Sequence, residues 1–219
     1  MISFSKDRDI LKYESVLFSD LYFPWQVLCQ GSNGTLSGNA FTASLEDFVS
    51  CGVDAGGVIY LRTSDGSIDG CFEIVSVEST TELKISVIRA DDDYSEIEIG
   101  EASDVTYRIS TYVPQAREVL FELTRYFGIG PGDVVSELSS DDIVDTEGLK
   151  LASVYAVIAG VYATVASKSG GDEGFWEKSR YYQKLFEKAR SRCKLSLDTD
   201  GDGSVDKIKR AGSIRLVRE

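Results

Sequence analysis

Gly57-Val-Ile-Tyr-Leu-Arg-Thr-Ser-Asp-Gly-Ser-Ile-Asp-Gly-Cys-Phe-Glu-Ile-Val-Ser-Val77 decides the fold of the first half of this chain. Two runs rich in β-branched and aromatic residues, Gly57 to Arg62 and Cys71 to Val77, flank Ser64-Asp-Gly66, a sequence that favours a tight reversal. Two such runs so close together predict an antiparallel hairpin. The pattern continues outward: Leu83 to Arg89 follows a second turn, Glu78-Ser-Thr-Thr81, and Val105 to Ile109 reads as a further strand. Glycines at 31, 34, 38, 52, 56, 57, 66 and 70 punctuate the short apolar runs. Closely spaced antiparallel strands of this kind predict a small barrel or curled sheet between about residues 25 and 110.

On both sides of that region the period changes to helical. Lys6 to Tyr22 reads as an amphipathic helix, with Ser5 as N-cap and Ile10, Leu11, Leu17, Phe18 and Leu21 facing a core; Phe23-Pro-Trp25 ends it. After Pro114, Gln115 to Phe127 sets Val119, Leu120, Leu123, Tyr126 and Phe127 on one face, and Gly128-Ile-Gly-Pro-Gly132 stops it. Gly148 to Ser167 is apolar nearly all round, as a central helix or an oligomer contact would be. Its uncharged run, Leu151 to Ala166, is shorter than the roughly 20 residues that span a bilayer, so a buried helix and no membrane are expected. Asp172 caps a last helix through about Lys194, with Phe175, Trp176, Tyr181, Tyr182, Leu185, Phe186 and Ala189 toward neighbours and Lys or Arg at 178, 180, 184, 188, 190, 192 and 194 around the rest. The expected fold class is therefore α+β: a discontinuous small helical bundle (1–24 plus 111–195), an inserted antiparallel β-barrel-like domain (25–110), and an acidic loop with a C-terminal extended tail (196–219).

With 219 residues and 42% hydrophobic content, the chain can bury one or two cores. Its net charge of −13 is unevenly placed: residues 1–110 carry 19 acidic and 7 basic side chains, residues 111–219 carry 17 and 16. An acidic surface is unsuited to gripping nucleic acid, whose affinity comes largely from Lys and Arg neutralising phosphates. The absence of histidine removes imidazole ligands and the Ser-His-Asp triad. Gly128-Ile-Gly-Pro-Gly132 lacks the Lys-Ser/Thr of a phosphate loop, and no carboxylate pair has spacing that specifies acid and base roles, so no enzyme is expected. Cys29, Cys51, Cys71 and Cys193 lack C-x-x-C spacing and read as buried free thiols of a reducing compartment. Lys6-Asp-Arg-Asp9 follows the first five residues at once, so no secretion signal is expected. Asp91-Asp-Asp93, Glu96, Glu98 and Glu101 read as a solvated acidic loop and edge, with a carboxylate metal site as the lesser reading.

The C-terminal quarter carries the sharpest motif. Asp198, Asp200, Asp202 and Asp206 match D-x-D-x-D-G-x-x-D, a spacing that lets alternate carboxylates converge on one hard cation such as Ca2+, with Gly203 at the sharp turn. A full calcium loop ends in a bidentate Glu at the twelfth position, where this chain has Lys209. Two readings stand: a weakly held hard cation, or a metal-free Asx-rich turn. The basic face of the last helix likewise reads either as solvated or as the complement of an acidic partner.

Pro114-Gln-Ala-Arg-Glu-Val-Leu-Phe-Glu-Leu123, the apolar helix Leu149 to Ala166, Tyr181-Tyr-Gln-Lys-Leu-Phe-Glu-Lys-Ala189, and Leu197-Asp-Thr-Asp-Gly-Asp-Gly203 followed by Ile214-Arg-Leu-Val-Arg218 stand in an order that resembles the head-tail connector, or adaptor, proteins of tailed bacteriophages and related gene transfer agents. The resemblance covers about half the chain. It implies a structural virion protein made in the host cytoplasm and placed at the head-tail junction, forming a ring under the portal, usually a dodecamer. No cofactor is then required. Ile214, Arg215, Leu216, Val217 and Arg218 would dock on the portal protein by β-augmentation, with the two arginines pairing with portal acids. Trp176 and Tyr182 would contact neighbouring copies, a tail-side or stopper protein would follow, and DNA would pass without specific binding. The barrel-like insertion departs from the smallest, nearly all-helical members of that family. The rival expectation is a calcium-dependent ligand-binding module with a single Asp-rich loop.

Overall fold

Six antiparallel strands close into a barrel in the computed structural model, which describes residues 3–170 and 172–210. They are β1 (Val27–Gly38), β2 (Ala40–Thr42), β3 (Val58–Arg62), β4 (Asp69–Val77), β5 (Glu82–Ser86) and β6 (Gly100–Ser110), running β1-β2-β5-β4-β3-β6 around the barrel. The opening hairpin pairs Val58 with Glu73 and Arg62 with Asp69. Strand β6 closes the cylinder by pairing with both β3 and β1. Alternate residues then fill the interior: Leu36, Phe41, Ile59, Leu61, Ile74, Leu83, Ile85, Val105, Tyr107 and Ile109 are all buried. Each such side chain contributes roughly 1.5–3 kcal/mol relative to exposure.

Strand β1 makes room for that core by omission. A Cβ at Gly31 would stand 2.7 Å from the Tyr107 hydroxyl oxygen, and one at Gly34 would stand 2.6 Å from the Phe41 ring. The two rings meet edge to face at 5.1 Å. Register shifts between β1 and β6 bracket both glycines, bending the strand where the rings enter.

The single helix expected from Lys6 to Tyr22 is instead two short ones, α1 (Asp7–Leu11) and α2 (Val16–Ser19). They belong to a compact unit formed by Lys6–Tyr112 with the barrel, a correction to their expected place with the later helices. Polar anchors explain why. The Tyr112 hydroxyl donates to the Leu17 carbonyl at 2.8 Å, Arg108 donates to the carbonyls of Phe18 and Ser19, and the Tyr112 ring meets Phe18 and Phe23 edge to face. Lys6, not Ser5, is the N-cap of α1. The acidic segment after β5 is tied down as well: Asp92 forms a two-pronged ion pair with Arg8, while Arg89 pairs with buried Glu73 and donates to the Tyr94 carbonyl at 2.9 Å. The Arg8 guanidinium holds the Asp92 carboxyl down at about 2.

The second unit contains residues 3–5 and 113–210 among those described. Helix α3 (Val113–Phe127) buries Val119, Leu120, Leu123 and Phe127 as expected, and Ala116 with them, but Tyr126, expected on the same face, is exposed beneath the Arg190 guanidinium. The segment after it folds back so closely that a Cβ at Gly132 would lie 2.3 Å from the Phe121 carbonyl oxygen. Helix α4 (Glu147–Lys168) is long and apolar enough to cross a membrane by length and composition alone, but 56% of its most apolar window is buried inside the protein. Helix α5 (Glu173–Arg190) starts where the Asp172 side chain accepts from the Gly174 amide, and it packs Ser179, Tyr182 and Phe186 inward. The Ser179 hydroxyl donates to the Ala159 carbonyl of α4. A hairpin of β7 (Lys194–Leu197) and β8 (Lys207–Arg210) follows, where a helix end and an extended tail were expected.

Asp7 supplies a pH test of the barrel unit. Its carboxylate accepts from the Tyr112 amide at 2.8 Å, and burial, outweighing that bond, pushes its pKa from 3.8 to about 6. The folded unit therefore binds this proton more tightly than the unfolded chain does, so the group's contribution is largest below pH 4 and is lost as pH rises through 6. The barrel unit should lose about 2–3 kcal/mol from this source between pH 4 and 7. Denaturation followed at Trp25 in a Trp176→Phe background should show that slope, and Asp7→Asn should flatten it.

Candidate functional site

The Asp-rich segment is the loop of the β7–β8 hairpin, and its backbone explains how the carboxylates come together. Register pairs Leu197 with Lys207, leaving 198–206 to make the reversal. Leu195 and Leu197 are fully buried, Leu197 bridges to Ile143, and the Asp198 amide donates to the Asp142 carbonyl at 2.8 Å. The loop thus projects from a base that is packed into the helical unit.

Within it, Asp198, Asp200 and Asp206 each place a carboxylate oxygen within 4.8 Å of the others. Asp202 is the exception among the four expected ligands; one of its oxygens accepts from the Ser204 amide at 2.7 Å. The carboxylates also serve the loop's own backbone. Asp198 accepts from the amides of Asp200, Gly201 and Gly203, and Asp206 accepts from the amide and hydroxyl of Thr199. The Gly203 amide is the main cause holding the Asp198 carboxyl below its ordinary range. The arrangement combines an Asx-rich turn with three oxygens facing one point, and both readings of the motif find their donors here.

Lys209, the residue that departs from the calcium-loop pattern, has a different task. Its ammonium donates to the carbonyls of Phe127 at 3.1 Å and Gly128 at 2.8 Å, satisfying the C-terminal end of α3. That links the hairpin to the first helix of its unit, a role no spacing rule indicates. Desolvation lowers its pKa.

Of the two residues expected at ring contacts, Trp176 is 36% exposed and Tyr182 is buried. Tyr182 is therefore corrected to a core residue: it stacks on Tyr162 at 6.3 Å and tilts against Tyr155, because positions 179, 182 and 186 make the inward stripe of α5. Tyr181, one position earlier, projects at 58% exposure. The expected docking strand, Ile214, Arg215, Leu216, Val217 and Arg218, lies outside the described residues.

The basic residues of the last helix divide in two. Lys178 donates to the Tyr162 hydroxyl at 3.0 Å, and Arg190 pairs with Glu122 while covering the Tyr126 and Phe186 rings. Lys184 and Lys188 stay exposed one turn apart on α5, and Arg192, exposed in the turn just past its end, extends them into a basic stripe. Beside it lies an open groove lined by Leu151, Ala152, Tyr155 and Leu185 together with Lys188 and Arg192. In the barrel unit, folding also brings Cys29, Glu46 and Cys51 together, although their spacing in the sequence carries no motif. No family model, curated protein or solved structure matches the chain.

Replacing Lys209 should separate its structural task from any ligand role. Lys209→Glu supplies the missing twelfth-position carboxylate but sets it against two carbonyl oxygens. It should lower the thermal midpoint of the helical unit by more than Lys209→Met, whose loss is roughly 1.5–3 kcal/mol for the charge-assisted bonds. Calorimetry with and without calcium would show whether added metal recovers any of that loss; none is expected.

Proposed function

We propose that this chain is a head-tail connector of a tailed bacteriophage or related gene transfer agent, a structural protein whose copies form a ring at the portal and continue the DNA channel toward the tail. The observation that carries this reading is the face of the helical unit where the Lys184, Lys188 and Arg192 stripe borders the apolar groove of Leu151, Tyr155 and Leu185. A ring needs heterologous contacts in which one surface of a subunit fits a different surface of the next. Leu151, Tyr181 and Trp176 add exposed apolar area on the same unit. The acidic first half of a neighbouring copy is complementary in charge to the stripe, and the same acidity lets DNA pass without being gripped. The tail from Ile214 to Arg218 would dock on the portal by strand addition, with Arg215 and Arg218 meeting acidic groups. No catalytic step enters this role.

The convergence of Asp198, Asp200 and Asp206 favours a second reading, a calcium-dependent binding module with one Asp loop. The two readings differ in what metal removal does. A module loses its binding on chelation, whereas a connector assembles in its absence.

Immunogold electron microscopy of particles from the producing culture should place an antibody against this chain at the head-tail junction; unlabelled particles would remove the connector reading. With that location in hand, Lys184→Glu combined with Lys188→Glu should leave the thermal midpoint within about 0.5 kcal/mol of the parent, as exposed charges usually do, and abolish ring assembly. Deleting residues 214–219 should leave the fold intact and abolish portal attachment.

A further inference from the structure

The loop between β2 and β3, residues 43–57, folds over one end of the barrel and inserts Phe48, which is fully buried. Its backbone is held by bonds from the Ala43 amide to the Thr81 carbonyl and from the Phe48 amide to the Thr80 carbonyl. Local turns then set two side chains toward β1: the Glu46 amide donates to Ala43, and the Cys51 amide donates to Asp47. Opposite them on β1 is Cys29, itself buried. The three ligand atoms, two sulfurs and one carboxylate oxygen, all lie within 4.8 Å of one another.

A second observation points into the same place. The Tyr107 hydroxyl, on a side chain only 1% exposed, has no hydrogen-bond partner of normal geometry. Its charged and polar neighbours are Glu46, Cys29 and Cys51. A buried hydroxyl without a partner costs about 1–3 kcal/mol, yet β1 surrenders the side chain at position 31 to admit this ring. The hydroxyl thus stands beside all three candidate ligands.

We propose that Cys29, Cys51 and Glu46 bind one zinc ion, with the Tyr107 hydroxyl hydrogen-bonded to the ligand set or to a water in the fourth position. Two thiolates and a carboxylate suit a borderline-soft divalent ion, and thiolate ligands disfavour magnesium and calcium. Tetrahedral bonds of about 2.0–2.3 Å set ligand atoms roughly 3.3–3.8 Å apart, so closing on the ion needs a movement of about 1 Å at most. Binding releases the two thiol protons and leaves one net negative charge, which water screens at the half-buried Cys51 and Glu46. The ion fastens the 43–57 loop to β1. This inference is independent of the connector reading.

The full chain, purified under reducing conditions, should retain one zinc per molecule by elemental analysis after desalting. Cobalt(II) put in its place should show a thiolate-to-metal charge-transfer band in the near ultraviolet. Cys51→Ser should abolish that band. Glu46→Gln should weaken metal affinity by at least the roughly ten-fold that losing even an outer-shell partner costs. Cys71→Ser, whose thiol lies elsewhere, should change nothing, and circular dichroism checks that each variant is folded. Absence of the cobalt band in the reduced parent chain overturns the proposal, as does a band that survives both Cys51→Ser and Glu46→Gln. Exclusive formation of a Cys29–Cys51 disulfide, with no metal taken up by the reduced thiols, overturns it too.

Discussion

Closure of the barrel through β1 is the constraint on which the Lys6–Tyr112 unit depends. One strand of twelve residues must pair with β2 on one side and β6 on the other while two aromatic rings pass beneath it. Gly31 and Gly34 make that compatible, since any larger residue would collide with Tyr107 or Phe41. The strand bends at those positions, and the bend lets a six-stranded sheet curl far enough to meet itself. With the cylinder closed, backbone donors and acceptors that an open edge would expose are paired, and the interior is filled by side chains.

Packing outside the barrel follows from the same geometry. Tyr112 stands just beyond β6, and its ring, hydroxyl and amide collect Phe18, Phe23, the Leu17 carbonyl and the Asp7 carboxylate. Several weak anchors converge on one residue, which is why two short helices of marginal intrinsic stability hold their places. Burying Asp7 and the Glu73–Arg89 pair has a cost, and each is retained where it also fixes a chain segment.

In the helical unit a different economy operates. Helix α4 is covered on most sides, so α3 and α5 need only one apolar face each and keep charge on the other. The hairpin that follows is tethered at its base by Leu195 and Leu197 and at its second strand by Lys209 on the end of α3. The Asp loop is thereby presented on a stiff support, and its carboxylates are divided between holding the turn and facing one another. Such a unit combines a rigid scaffold with an exposed apolar and basic face, the combination on which the proposed assembly rests.

Much of this architecture is written in local pattern. The Ser64-Asp-Gly66 turn, the strand runs on either side of it and most of the apolar face of 113–127 follow from residue period, and the all-round apolarity of 147–168 marks a packed helix, because both are set by neighbours in sequence. The Asp198 to Asp206 spacing was equally visible. Contacts between distant residues were not. The N-terminal segment has an amphipathic pattern that fits either unit, and Tyr112, about ninety-five residues from Leu17, decides between them. Tyr182 and Tyr181 are alike as letters; only the path of α4 makes one core and the other surface. Cys29, Glu46 and Cys51 become neighbours because the barrel closes and the 43–57 loop turns back over it. Sequence by itself determined the central hairpin of the barrel and the long helices α3, α4 and α5, since those depend on adjacent residues. Tertiary structure alone decided which charges are paired, which aromatics are buried and which side chains meet, since those depend on chain closure over long separations.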